Sequence, residues 1–256
     1  MNGPVVLAEV LREGLLESLH LGAVAVTDAA GRVRHSAGDP QLRTFWRSSM
    51  KPVQALALAE SGALEAFGLG DEALAIACAS HNGEPMHVAA VDAMLSAAGL
   101  TEKDLGCGVH LPYGDPRTRR QQEDLLASGF KPDARHNNCS GKHAGMLVTC
   151  RHRKLPTENY LDPAHPHQRR VRELVEAMTG SKSLEAGTDG CSAPIYRLSL
   201  TEMATAYARL VRPPKELQAS CDRVVRAMTA HPLLVHSEGG LDSELMRAAP
   251  DRVVAK

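Results

Sequence analysis

The chain has 256 residues, a formal net charge of −1, 43% hydrophobic and 23% charged residues, which is the composition of a globular domain able to bury its own core. A near-zero charge argues against nucleic acid as a partner, and no run of about 18 apolar residues is present to span a membrane. The N-terminal stretch is broken by Glu9, Arg12, Glu13 and Glu17, unlike a signal peptide, so a cytoplasmic location is expected. There the six cysteines serve as free thiols or metal ligands rather than disulfides.

Aromatic residues make up only 3%, so the core must be built from Ala, Leu and Val, which tilts the fold toward helix. In chain order, Gly22–Asp28 and Val33–His35 read as strands joined by a turn at Ala30-Gly31. Val53–Ser61 reads as a helix, with Ser49 as its cap and Pro52 in its first turn. Leu74–Ala79 is a short buried strand or the end of a helix. Helical periodicity then runs through His87–Ala98, Arg119–Ala127, Gly141–His152, Gln168–Met178, Leu200–Leu210 and Glu216–Ala230. Arg252–Ala255 has the composition of a strand. Strands at both ends of a helix-rich middle predict one α+β domain over residues 1–256, a helical region against an antiparallel sheet.

Four polar segments carry the chemistry. In the first, Ser48 and Lys51 are three residues apart, so on a helix they share a face. A lysine made neutral by burial or by a nearby cation can take the proton from a serine, which is a poor nucleophile without a base. Arg47 can supply that cation or hold a substrate carboxylate. The second segment, Ser80-His81-Asn82-Gly83, matches the Ser-x-Asn motif of penicillin-recognising serine enzymes, which also begin from Ser-x-x-Lys. Their third motif, Lys-Thr-Gly, is absent, although Lys256 stands at the end of an apparent strand where such a lysine would lie. The third and fourth segments are Asn137-Asn138-Cys139-Ser140-Gly141-Lys142-His143 and Asp189-Gly190-Cys191-Ser192-Ala193-Pro194. Cys139 and Cys191 can supply two thiolates to a borderline metal such as zinc, or they can be buried thiols. His136 and His143 are ligands, supporting groups or neither. Asp189 can hold a substrate ammonium group, orient a lysine or simply form the turn. Cys78, Cys107, Cys150 and Cys221 sit in apolar or helical contexts and read as structural.

Taken in order, these segments resemble the asparaginase II family, which includes the rhizobial inducible L-asparaginase. The resemblance runs from about Ala23 to Lys256. It implies a fold similar to serine β-lactamases and serine-type glutaminases, and hydrolysis of L-asparagine to L-aspartate and ammonia. It also implies two serine–lysine pairs, Ser48 with Lys51 and Ser80 with Lys256, and a substrate held with help from Asp189; Arg47 and Asn82 are the further substrate-binding candidates. Finally, it implies a supporting zinc ion on Cys139, Lys142 and Cys191. An ammonium has no lone pair, so Lys142 would coordinate as a neutral amine and metal affinity would fall with pH. Two departures stand out. Asp242 falls where the family often has cysteine, and family members continue past Lys256 with a glycine-rich strand, so the resemblance implies a C-terminally shortened domain. A homodimer is the expected assembly. Glutamine hydrolysis, β-lactam processing and inactive zinc binding are the competing functions.

Overall fold

The structure, a computed structural model, describes residues 3–112, 120–250 and 252–256. The chain opens with two hairpins, β1 (Val5–Arg12) with β2 (Leu15–Gly22), and β3 (Val24–Thr27) with β4 (Val33–Ala37). Next come β5 (Arg43–Trp46) and the helices α1 (Lys51–Ala59), α2 (Ala63–Ala66), α3 (Asp71–Ala77), α4 (Pro85–Ala97), α5 (Arg120–Ala127), α6 (Ser140–His152) and α7 (Pro166–Thr179). Strands β6 (Glu185–Thr188) and β7 (Pro194–Ser199) precede α8 (Leu200–Val211), α9 (Gln218–Ala230), α10 (Pro232–Val235) and α11 (Leu241–Ala248). The fold is mixed α and β, with small antiparallel sheets, as expected for an α+β protein. Among the described residues, no helix is long and apolar enough to cross a membrane.

Helix α1 lies at the centre. Every residue from Lys51 to Leu58 is buried, and α3, α6, α7 and α9 pack around it. Pro52 sits in its first turn, where a missing N–H costs nothing. Ser49 does not cap it, contrary to the sequence reading. A 3-10 turn over Ser48–Met50 runs straight into the helix and Lys51 N–H bonds to the Ser48 carbonyl, so no side-chain cap is needed. The Ser49 carbonyl instead accepts from the Tyr207 hydroxyl at 2.8 Å.

Helix α6 is buried on all sides from Ser140 to Cys150, and its approach to α3 requires a glycine. A Cβ on Gly141 would stand 2.1 Å from the Ile76 carbonyl oxygen, far inside contact distance. The amphipathic α7 buries Val171, Leu174, Val175 and Met178, the spacing of one helical face. Ser199 and Glu202 form a reciprocal capping box that starts α8 directly from β7.

The sheet of order β5-β7-β6 sets up the functional region. Antiparallel pairing of Trp46 with Tyr196, and of Thr188 with Pro194, brings the end of β5 beside the turn that joins β6 to β7. Trp46, the single tryptophan, is fully buried, with its ring centroid 6.4 Å from that of Tyr207.

The reading of Leu74–Ala79 resolves as the end of helix α3. The expected strand at Arg252–Ala255 does not form. The N–H groups of Arg252 and Val253 bond to the Ala249 carbonyl, and Val254 and Ala255 pack on the core without a strand neighbour. The part of the predicted Arg119–Ala127 helix at Arg119 lies outside the described residues, and the observed helix begins at Arg120.

Candidate functional site

The site is assembled from four chain segments that the fold holds at one end of α1. Lys51 opens that helix and is fully buried. Its Nζ donates to the Ala79 carbonyl, to Ser80 Oγ at 2.9 Å and to the Asn138 carbonyl at 3.2 Å. Burial lowers its pKa to about 8, and the charges of Lys142 and Lys256 push the same way against the opposing charge of Cys139. Ser48 is half-buried in the turn before α1, and its hydroxyl makes no hydrogen bond among the described residues. Of the two predicted serines, the structure therefore joins Ser80 to Lys51.

Ser80 follows the end of α3, and its N–H is tied to the Val235 carbonyl in α10. The next residue braces it. His81 Nδ1 accepts the Gly83 N–H at 3.1 Å, which leaves Nε2 to donate to Ser140 Oγ at 3.0 Å. The Ser140 hydroxyl donates in turn to the Arg135 carbonyl at 2.8 Å. Burial holds the His81 pKa well below its ordinary value, so the ring is neutral. His81 stacks on His87 with centroids 5.0 Å apart. This brace between the Ser80 and Cys139 segments was missed in the sequence, although both residues lie inside the motifs.

Lys256 is close enough for its charge to act on Lys51, but its ammonium is turned elsewhere. Lys256 Nζ pairs with Asp242 Oδ2 at 2.7 Å and is nearly buried. The Tyr207 hydroxyl reaches the Lys256 carbonyl at 3.2 Å as well as that of Ser49. Ser49, Tyr207, Asp242 and Lys256 share a cleft of about 430 Å³. A cleft of about 810 Å³ lies between α4 and α5, and of the predicted residues His136 and the buried Asn82 line it.

Arg47 and Asp189 meet across the sheet end. Arg47 leaves β5, Asp189 starts the β6–β7 turn, and they bond at 2.8 Å. Burial would raise the Asp189 pKa, but the Arg47 bond, the Gly190 N–H and the Lys142 charge outweigh it and hold the carboxyl low. The Asp189 side chain is buried, while that of Arg47 is 64% exposed. The turn is closed by hydrogen bonds between Asp189 and Ala193 and from Ser192 to Asp189, with Ser192 at φ +68°.

Cys139, Lys142 and Cys191 converge beside this pair. Lys142 Nζ donates to Cys191 Sγ at 3.0 Å. The candidate ligand atoms of Cys139, Cys191 and Asp189 lie within 4.8 Å of one another. Ligands about 2.0–2.3 Å from a tetrahedral zinc stand roughly 3.3–3.8 Å apart, so donors within 4.8 Å of one another would close on zinc by drawing together by about 1 Å. The closeness of the two thiols lowers the pKa of Cys139 and raises that of Cys191. Burial opposes ionisation of both, and the cationic lysines favour one thiolate. His143 turns away, with Nδ1 on the Tyr160 hydroxyl at 2.6 Å, and His136 Nδ1 accepts from the Asp133 N–H. Cys78, Cys107, Cys150 and Cys221 are free, buried thiols.

The geometry thus brings together Ser80, Lys51, the thiols and the Arg47–Asp189 pair, with Ser48 and Lys256 alongside but unbonded to them. A search for curated relatives gives no match. The family model described as L-asparaginase II matches residues 8–256. With that match running over almost the whole chain and the motifs gathered at one place in the fold, the protein belongs to the L-asparaginase II family.

Proposed function

We propose that the protein hydrolyses L-asparagine to L-aspartate and ammonia through a serine activated by Lys51. The observation that carries this reading is the buried Lys51 Nζ bonded to Ser80 Oγ and to two carbonyls. A neutral amine has two N–H groups and one lone pair. The two N–H groups match the carbonyls of Ala79 and Asn138, and the lone pair then faces the Ser80 hydroxyl. Lys51 takes that proton as Ser80 Oγ attacks the side-chain amide carbon. The Lys51 ammonium returns the proton to the leaving nitrogen, which departs as ammonia. Lys51 next deprotonates the water that cleaves the acyl-enzyme, and Ser80 regains its hydrogen.

Arg47 and Asp189 offer a cation and an anion side by side, which suits the α-carboxylate and α-ammonium of an amino acid. Cys139, Lys142 and Cys191 would hold a zinc ion in a supporting role, and such an ion supplies positive charge and rigidity beside the substrate. Ser48 as the attacking serine is the second reading, favoured by its place one turn before Lys51 and its unengaged hydroxyl. Six free thiols suit a reducing, cytoplasmic setting, and a homodimer is the assembly proposed.

The test is ammonia release from L-asparagine by the zinc-supplied chain, with L-glutamine and nitrocefin as competing substrates. Ser80→Ala and Lys51→Met should each lower kcat by at least about 10³-fold, the scale expected when a nucleophile or its base is lost. An acyl-enzyme trapped on Ser48 would move the nucleophile to that residue. No turnover from a folded, zinc-loaded chain would leave a binding protein.

A further inference from the structure

The first hairpin stands apart from the rest of the molecule. Every residue of β1 and β2 except Gly22 is exposed, and each strand is the other's one extensive contact among the described residues. Two strands alone are marginal in water, so a lone hairpin of this length calls for something to cover it.

The pairing register shows which side needs covering. Directly paired residues of an antiparallel ladder point to the same face, and faces alternate along each strand except at a bulge. The register slips by one residue in β1 between Val6 and Ala8 and in β2 between Ser18 and Leu16, so residues three apart across those slips share a face. The pairs Val6–Leu21, Glu9–Leu19 and Leu11–Leu16 therefore share one face. That face presents Val6, Leu11, Leu16, Leu19 and Leu21, with Glu9 as its one charge; Leu16 is 57% exposed and Leu21 61%. The opposite face mixes Val5, Val10 and Leu15 with Ser18, His20 and Arg12, which forms an ion pair with Glu17. One side of the arm is thus fit for water and the other is not.

We propose that this arm is a dimerisation element: its apolar face packs against the same face of a second copy of the chain. The area supports that occupant. The five apolar side chains expose about 500 Å², so packing two such faces together removes about 1,000 Å² in all, the lower bound for a specific interface. The face carries one charge and almost no polar pattern, so it offers little by which to recognise a different protein. Face-to-face packing of two identical hairpins about a twofold axis buries both at once and forms a four-stranded, two-layer sandwich. The single Glu9 on each face sits directly opposite Leu19.

The experiment is sedimentation velocity and multi-angle light scattering on the full chain over a range of concentrations. The wild type should show twice the chain mass of 27.4 kDa. The double variant Leu16→Glu/Leu19→Glu should run at a single chain mass with unchanged far-UV circular dichroism, because neither side chain belongs to the core. Leu15→Glu, on the opposite face, should remain dimeric. A wild type that is monomeric at every concentration, including one that binds lipid vesicles or a foreign protein, overturns the proposal. So does a Leu16→Glu/Leu19→Glu variant that stays dimeric.

Discussion

Substituting Gly141 by alanine tests how tightly α6 is seated on α3. The added methyl would meet the Ile76 carbonyl oxygen at 2.1 Å and the Ile76 carbonyl carbon and Cγ1 at 2.8 Å. A carbon and an oxygen normally approach no closer than about 3.2 Å, so the helices must part by about 1 Å in a core packed to crystal density. The obstacle is main chain, which has no rotamer through which to escape. The cost should therefore reach or exceed the upper end of the overpacking range, about 3 kcal/mol. For a chain of this size that corresponds to a fall of roughly 6–12 °C in Tm. Gly145→Ala is the matched control on the same helix. Its methyl would meet only side-chain atoms, Ala77 Cβ at 3.1 Å and Leu58 Cδ2 at 3.2 Å, and the helix gains about 1 kcal/mol from replacing glycine. Thermal unfolding followed by circular dichroism should thus separate the two variants widely. If Gly141→Ala melts within about 2 °C of wild type, the close-packing argument is wrong.

Acid should destabilise the protein through His167, whose pKa falls from 6.5 to about 3 because of burial first and the neighbouring His165 and Arg153 second. Between those values the unfolded state binds the extra proton, so stability is complete above pH 6.5 and is lost as pH falls. The loss is about 2 kcal/mol by pH 5, and urea titrations of His167→Gln should show a shallower decline there. Asp242→Asn leaves the nearly buried Lys256 ammonium without its partner and should cost about 1–3 kcal/mol in urea unfolding. Adding Lys256→Met should recover part of that loss, and additive effects would refute the pairing. Cys191→Ala should abolish zinc retention measured by elemental analysis while Cys150→Ala preserves it, and equal zinc in both variants would remove Cys191 from the ligand set.

Much of the helical frame was legible because its periodicity is strong. Val171, Leu174, Val175 and Met178 mark α7, and the alternation of Val24 and Val26 before a Gly31 turn marks the second hairpin. The first hairpin was not legible, since apolar residues fall on both faces, two bulges break the alternation, and Glu9, Arg12, Glu13 and Glu17 interrupt the run. Strands β6 and β7 are short and contain Gly187 and Pro194, residues that usually argue against a strand. The motifs located the site, but not its bonds. A spacing of three residues suggests that Lys51 serves Ser48, yet a long side chain can be drawn across to Ser80 by two carbonyls from other segments. Likewise, nothing local announces that Lys256 faces Asp242, or that Arg47 meets Asp189 across 142 residues of sequence.

The position of the single tryptophan gives the protein an optical reporter at the site. Trp46 is sealed from water, contacts Tyr207 and immediately precedes Arg47 and Ser48. Its emission should be that of a dry indole, with no second tryptophan to dilute the signal. Fraying of the β5–β7 edge, or displacement of Tyr207 from the Ser49 carbonyl, would wet or reorient that ring and shift the spectrum. Substrate docking at the sheet end can thus be followed in real time by light, without a label and without waiting for product.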